Sequence, residues 1–197
     1  EGLAQQGAYV ILNGRDKKKL ASTVKKFSLI YDKVCASPFD VTDTEAISFH
    51  LRKIRSEIGE VDILVNNAGI QHRESLLNID LSDWQRVLDA NLTSPFLLAR
   101  AVAPSMIKRK AGKIINICSI TSELGRSRIA PYVSSKGGLK MLTKAMAVEW
   151  AHANVQVNGI GPGYFSTKMN TALINNEDFN SWVCNRTPAG RWGHPSE

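Results

Sequence analysis

The sequence has no long apolar run: none of its 197 residues falls in a stretch approaching the roughly 20 needed to cross a bilayer as a helix. Cysteine is scarce. Cys35, Cys118 and Cys184 are odd in number and without C-x-x-C spacing, which excludes a disulfide framework or a paired-thiol metal knuckle. Reduced, mostly buried thiols in a cytoplasmic protein are the expectation. His50, His72, His152 and His194 are scattered without ligand spacing, so no metal site is expected, and no Ser-His-Asp set can be argued from them. The opening residues, EGLAQQGAYV, lack a basic segment followed by an apolar core, so a signal peptide is not expected either. The net charge is +7, but its densest clusters, KKK at 17–19 and KRK at 108–110, have no interleaved aromatics. That argues against nucleic acid and leaves either a solvated basic surface or attraction to anionic small molecules. There is no internal repeat, linker or low-complexity segment. Nowhere does a strand run through a Gly-rich turn into a helix, the usual anion cradle of dinucleotide-binding domains.

What is present is an alternation of strand and helix along a chain the size of one domain, 43% hydrophobic and 22% charged. The pattern predicts an α/β domain with a parallel sheet. Strands are expected at 8–13, 33–39, 61–65, 113–119 and 155–160. Helices are expected over 16–27, from a Thr42/Glu45 capping box onward, and from a Ser82/Gln85 cap to about Lys108 with a bend at Pro95. A further helix carries Tyr132 and Lys136, and a last one runs from about Thr167 into the 180s.

The chemistry gathers in one spaced set. Ser119 ends the strand KIINICS, Tyr132 follows thirteen positions later, and Lys136 lies four beyond that. Residues at i and i+4 share a helical face. An ammonium beside a phenol favours the phenolate and makes its proton transferable nearer neutral pH. A serine hydroxyl from a neighbouring strand can polarise the carbonyl that receives the proton. Y-x-x-x-K alone is a weak signal; with NNAG at 66–69, Asn91 and VNGIGPG at 157–163, in that order, it is strong.

These motifs, at Asn66–Gly69, Asn91, Ser119, Tyr132, Lys136 and Pro162–Gly163, resemble the short-chain dehydrogenase/reductase family over nearly the whole chain. NNAGIQHR, INICSITSELGR, VQVNGIGPGYFSTKM and RTPAGRWG extend the resemblance to its gluconate 5-dehydrogenase branch. The resemblance implies one doubly wound, Rossmann-like domain over residues 1–197, lacking the family's first strand with its Gly-rich turn and its last strand. It implies a nicotinamide cofactor, hydride transfer between a secondary alcohol and a ketone, and a homotetramer. Tyr132 becomes the general acid/base, Lys136 the group that lowers its pKa and holds the nicotinamide ribose, and Ser119 the ligand of the substrate oxygen. Asn91 holds a water relaying protons from Lys136. Asn66, Ala68 and Gly69 meet the cofactor, Asp40 and Val41 its adenine, and Pro162, Gly163 and Thr167 its carboxamide.

Arg15, at the end of the strand that closes Asn13-Gly14-Arg15, offers a permanently charged fork for a 2′-phosphate, which favours NADP over NAD; a surface arginine is the alternative, since Asp16 follows. For a sugar-acid substrate, Arg73 is the expected carboxylate partner. Glu123 and Arg126 are expected to meet substrate hydroxyls, or else each other in a salt bridge. Two other readings stand beside gluconate/5-keto-D-gluconate interconversion: a reductase for another polyol or 3-oxoacyl substrate, and a catalytically silent fragment or scaffold.

Overall fold

The computed structural model describes residues 1–167 and 170–197. A turn of helix at Gly2–Gln5 (α1) precedes strand Val10–Asn13 (β1), helix Lys17–Phe27 (α2), strand Val34–Ser37 (β2) and helix Thr44–Glu57 (α3). Strand Ile63–Asn66 (β3) leads to helix Leu81–Leu88 (α4), a π-helical turn at Asp89–Thr93 and helix Ser94–Arg109 (α5). Strand Gly112–Ile117 (β4), a 3₁₀ turn at Ile120–Ser122, helix Ala130–Trp150 (α6) and strand Val155–Ile160 (β5) follow. Helices Thr171–Ile174 (α7) and Glu177–Arg186 (α8) come last.

All strand pairing is parallel, in two groups: β1 with β2, and β3-β4-β5 with β4 central. This is the expected α/β architecture. Among the described residues no strand lies between the two groups, in keeping with the expected missing strand. The strand β5 forms where VQVNGI alternates, so that Val155 and Val157 enter the core and Asn158 faces out. They pack with Ile114 of β4, Ala99, Val102 and Met106 of α5, and Met146 of α6. At about 25 cal/mol per Å² of apolar surface, this cluster is the main favourable term holding α5 and α6 to the sheet.

Several local expectations are corrected. The α3 cap is Asp43, whose carboxylate accepts from the N–H groups of Glu45 and Ala46; Thr42 instead donates its N–H and hydroxyl to Asp40. Helix α4 begins after Asp80, and Gln85 donates to Asp89 four residues on rather than capping. The helical run passes from α4 through the π turn into α5 without a break, and Pro95 is the second residue of α5. The single last helix is two. Asn176 caps α8 through Phe179 N–H, which interrupts the run after Asn175; Lys168 and Met169, inside that expected span, lie outside the described residues.

Side-chain amides cross the β3-β4-β5 group inside the core. Asn66 donates to Asn116 at 2.8 Å, and Asn116 donates to Thr143 of α6 at 2.8 Å. Asn66 and Asn116 are register partners, and both are buried. The helix α6 lies close against the π turn: a Cβ on Gly138 would stand 2.9 Å from Leu92 Cδ2.

Candidate active site

The C-terminal ends of β3, β4 and β5 open on one side of the sheet into a cavity of about 520 Å³. Ser119, Tyr132 and Lys136 line it together, with Gly69, Pro162 and Thr167 also in its wall. Open α/β sheets bind ligands at this edge, where the loops diverge.

Each catalytic candidate is held by its local structure. Ser119 caps the 3₁₀ turn, and its oxygen accepts from the N–H of Thr121 at 3.1 Å and the hydroxyl of Thr121 at 3.0 Å. With its lone pairs so engaged, the Ser119 hydroxyl is left to donate its own proton into the cavity. Tyr132 and Lys136 project from the first turns of α6. Lys136 is 4% exposed and donates to the carbonyl of Ile117 at 2.6 Å. Its ammonium has two further donors, and its nitrogen lies 5.8 Å from the Tyr132 ring centre.

The electrostatics differ from the sequence expectation. Burial raises the Tyr132 phenol above its ordinary value; Ser119 hydrogen bonding lowers it less, and nearby Tyr164 raises it further. Lys136 turns its head to the Ile117 carbonyl, and its charge does not outweigh that burial. Burial also lowers the pKa of Lys136 itself, against a smaller raising effect of Cys118. Tyr132 is therefore a phenol at neutral pH, suited to giving a proton.

Asn91 is fully buried in the π turn. It accepts from Ile70 N–H at 2.8 Å and donates to the Ile70 carbonyl at 2.9 Å and to Ser135 Oγ at 3.0 Å. Its side chain is thus a brace that clamps the chain just after NNAG onto α6. Asn66 belongs to the core amide chain, while Ala68 and Gly69 are exposed at the sheet edge. A Cβ on Gly69 would meet Asn91 Oδ1 at 3.2 Å and Lys136 Nζ at 3.8 Å. Glycine here keeps the space above the ammonium open, which fits a ribose reaching the two free Lys136 donors. Arg15 is exposed and pairs with Asp40 at 3.5 Å, just beyond β1 and β2. Asp40 is held below the usual carboxylate range, first by the Thr42 N–H. Val41 follows it, half-buried. These residues fit the nicotinamide and adenosine ends of a dinucleotide; among the described residues no Gly-rich turn provides a pyrophosphate cradle.

Of the substrate candidates, Arg73 and Arg126 line the cavity and Glu123 does not. Glu123 is exposed and paired with Lys140, so the alternative Glu123–Arg126 salt bridge is not formed either. The sequence reading missed Tyr164, Asn170 and Pro195, which also line the cavity. Only Tyr164 left a signal, as an aromatic directly after Pro162-Gly163.

A Ser–Tyr–Lys group at the C-terminal edge of a parallel sheet defines a nicotinamide-dependent oxidoreductase. Residues 1–178 match the family described as short chain dehydrogenase, and the chain belongs to that family. It is 47% identical over 196 residues to 5-keto-D-gluconate 5-reductase of Escherichia coli, covering all of this chain and 77% of the relative. It is 46% identical over 197 residues to gluconate 5-dehydrogenase of Gluconobacter oxydans, with the same coverage. The structure of a gluconate 5-dehydrogenase from Burkholderia cenocepacia in complex with NADP and tartrate superposes with a TM-score of 0.93 at 44% identity, over 98% of this chain and 76% of that one. Among the described residues no helix is long and apolar enough to cross a membrane.

Proposed function

We propose that the chain interconverts D-gluconate and 5-keto-D-gluconate with NADP. The observation that carries this is the cavity wall: Arg73, Arg126 and Lys136 supply three cations beside Ser119 and Tyr132, with no acidic residue among the described residues. A substrate bearing a carboxylate at one end and a ketone at the other answers both halves. The printed names of the relatives support the same reading.

The ketone oxygen sits between the Ser119 hydroxyl and the Tyr132 phenol. Ser119 donates a hydrogen bond to it, and Tyr132 gives it a proton as the oxygen gains charge. Lys136 supplies positive charge that favours the phenolate left behind, and its free donors would hold the nicotinamide ribose. Pro162, Gly163 and Thr167 would seat the carboxamide, Asn66, Ala68 and Gly69 the ribose approach, and Asp40 and Val41 the adenine. Arg15 would meet the 2′-phosphate. A bound reduced nicotinamide supplies the hydride that the carbonyl carbon receives. In the oxidative direction Tyr132 must first lose its proton, against the burial that holds it. A homotetramer and a cytoplasmic setting go with this reading. Phe96, Met141 and Val148, exposed on α5 and α6, are surface an assembly would cover; sedimentation as a monomer would remove that part.

The test is turnover of 5-keto-D-gluconate by the purified chain with NADPH, with NADH in parallel and Tyr132→Phe as control. Turnover that prefers NADPH and is lost in the variant supports the proposal. Turnover only of neutral ketones or 3-oxoacyl substrates refutes it.

A further inference from the structure

Arg73 and Arg126 are cavity cations that, like Lys136, have no acidic partner among the described residues; unlike Lys136, neither lies beside the catalytic Tyr132. No ion pair joins either to an acid among the described residues. The acids beside them are engaged elsewhere: Glu74 with Arg128 at 3.7 Å, and Glu123 with Lys140. The two guanidinium groups sense each other. Arg73 is lowered first by desolvation of its head group and then by the charge of Arg126, and Tyr164 acts in the opposite sense. Two like charges turned into one cavity without a counter-charge are unfavourable unless a ligand brings one.

Arg126 is also placed with unusual definition for a loop residue. Its guanidinium carbon lies 4.1 Å from the ring centre of Phe179 on α8. Phe179 in turn packs with Tyr164 at 5.9 Å, Trp182 at 5.3 Å and Trp192 at 6.3 Å between ring centres. Trp192 is fixed by its indole N–H, which donates to Asn180 at 2.7 Å. A guanidinium held over a ring face in this way spends none of its N–H groups on the ring and keeps them for hydrogen bonds.

We propose that Arg73 and Arg126 form a two-guanidinium clamp for the substrate carboxylate, with Phe179 setting the plane of Arg126, and that this clamp selects acids over neutral polyols. The inference rests on the sugar-acid reading above and adds to it a second specificity-determining cation and a positioning aromatic 53 residues away in sequence. The loop that carries Ser119 and the helix α8 thereby meet at the ligand's charged end, away from the reacting carbon.

The test is titration calorimetry in the presence of NADP with two ligands that differ only in the terminal group, D-gluconate and D-glucitol. The proteins are the unmodified chain, Arg73→Ala, Arg126→Ala, Arg126→Lys and Phe179→Leu, each checked for folding by circular dichroism. Each arginine-to-alanine change is expected to weaken gluconate by about tenfold or more, the loss of a charge-assisted pair. Glucitol binding is expected to stay unchanged. Arg126→Lys is expected to regain part of the loss, and Phe179→Leu to weaken gluconate a few-fold while sparing glucitol. Gluconate binding as tight in Arg126→Ala as in the unmodified chain overturns the clamp. If Arg73→Ala alone abolishes discrimination, the clamp fails and the sugar-acid reading survives. If the unmodified chain binds both ligands equally, both fall.

Discussion

Replacing Asn91 by alanine separates two roles for that residue, a proton relay and a structural brace. The side chain is 0% exposed and makes three hydrogen bonds, at 2.8, 2.9 and 3.0 Å, two of them to the N–H and carbonyl of Ile70. At about 1 kcal/mol net for each bond, truncation costs about 3 kcal/mol. The Ile70 N–H and carbonyl are then left with no partner from this side chain, which raises the cost to about 4–5 kcal/mol unless water enters. For a domain of this size, roughly 2–4 °C of Tm is lost per kcal/mol, so Asn91→Ala is expected to melt roughly 10 °C or more below the unmodified chain. Asn91→Asp keeps the acceptor for Ile70 N–H and loses both donations, and is expected to fall below the unmodified chain as well. The assay is urea denaturation followed by tryptophan fluorescence, with calorimetry for Tm. Turnover is measured at a temperature where both proteins are folded. An Asn91→Ala protein with an unchanged urea midpoint and no turnover would refute the brace and leave the relay as the role of this residue.

Three further expectations are open to direct measurement. Because burial holds the Tyr132 phenol above its ordinary pKa, alcohol oxidation, which needs the phenolate, should climb about tenfold per pH unit from pH 7 to 9, while ketone reduction stays flat with respect to this group; a flat oxidation profile over that range would place the phenol below 7 and overturn the assignment. Arg15→Ala should raise the KM for NADPH by about tenfold with little change for NADH, as expected of a lost charge-assisted phosphate contact; equal weakening of both cofactors in steady-state kinetics would remove Arg15 from the 2′-phosphate. Gly138→Ala sets a methyl 2.9 Å from Leu92 Cδ2, a flexible side-chain end that can turn aside, and replaces a glycine inside α6 by alanine, a gain of about 1 kcal/mol in helix propensity; the chemical-denaturation midpoint should therefore stay level or rise, and a loss of more than about 1 kcal/mol would mean that the α6 contact with the π turn cannot yield.

Elements whose periodicity matched their burial were legible in the sequence. The strand 155–160 coincides with β5 because VQVNGI places two valines inward and its polar residues elsewhere. The alternation also sufficed for the parallel sheet, and the Ser119–Tyr132–Lys136 spacing for three groups that do meet in one cavity. Local competition was harder to read. In DVTDTE both Thr42 and Asp43 can cap, and Asp43 takes the role while Asp40 claims the Thr42 donors. The two asparagines at 175 and 176 read as polar helix positions, although Asn176 caps a new helix. Contacts set only by tertiary packing left no trace in the sequence. Arg126 over Phe179 is one, and the turning of Glu123 toward Lys140 is another. The direction of the Tyr132 shift belongs here too: spacing shows that a lysine shares its face, but not how deeply the phenol is buried.

The amide chain through Asn66, Asn116 and Thr143 acts as a vernier for the sheet. Parallel strands whose outward faces are all aliphatic can slide past one another at small cost, whereas here a one-residue slip would point two buried carboxamides at hydrocarbon. Fixing Asn66 opposite Asn116 fixes how far each strand protrudes at its end. The relative height of Gly69 and Ser119, three residues beyond each asparagine, is therefore set in the core of the sheet and not by the loops that carry them.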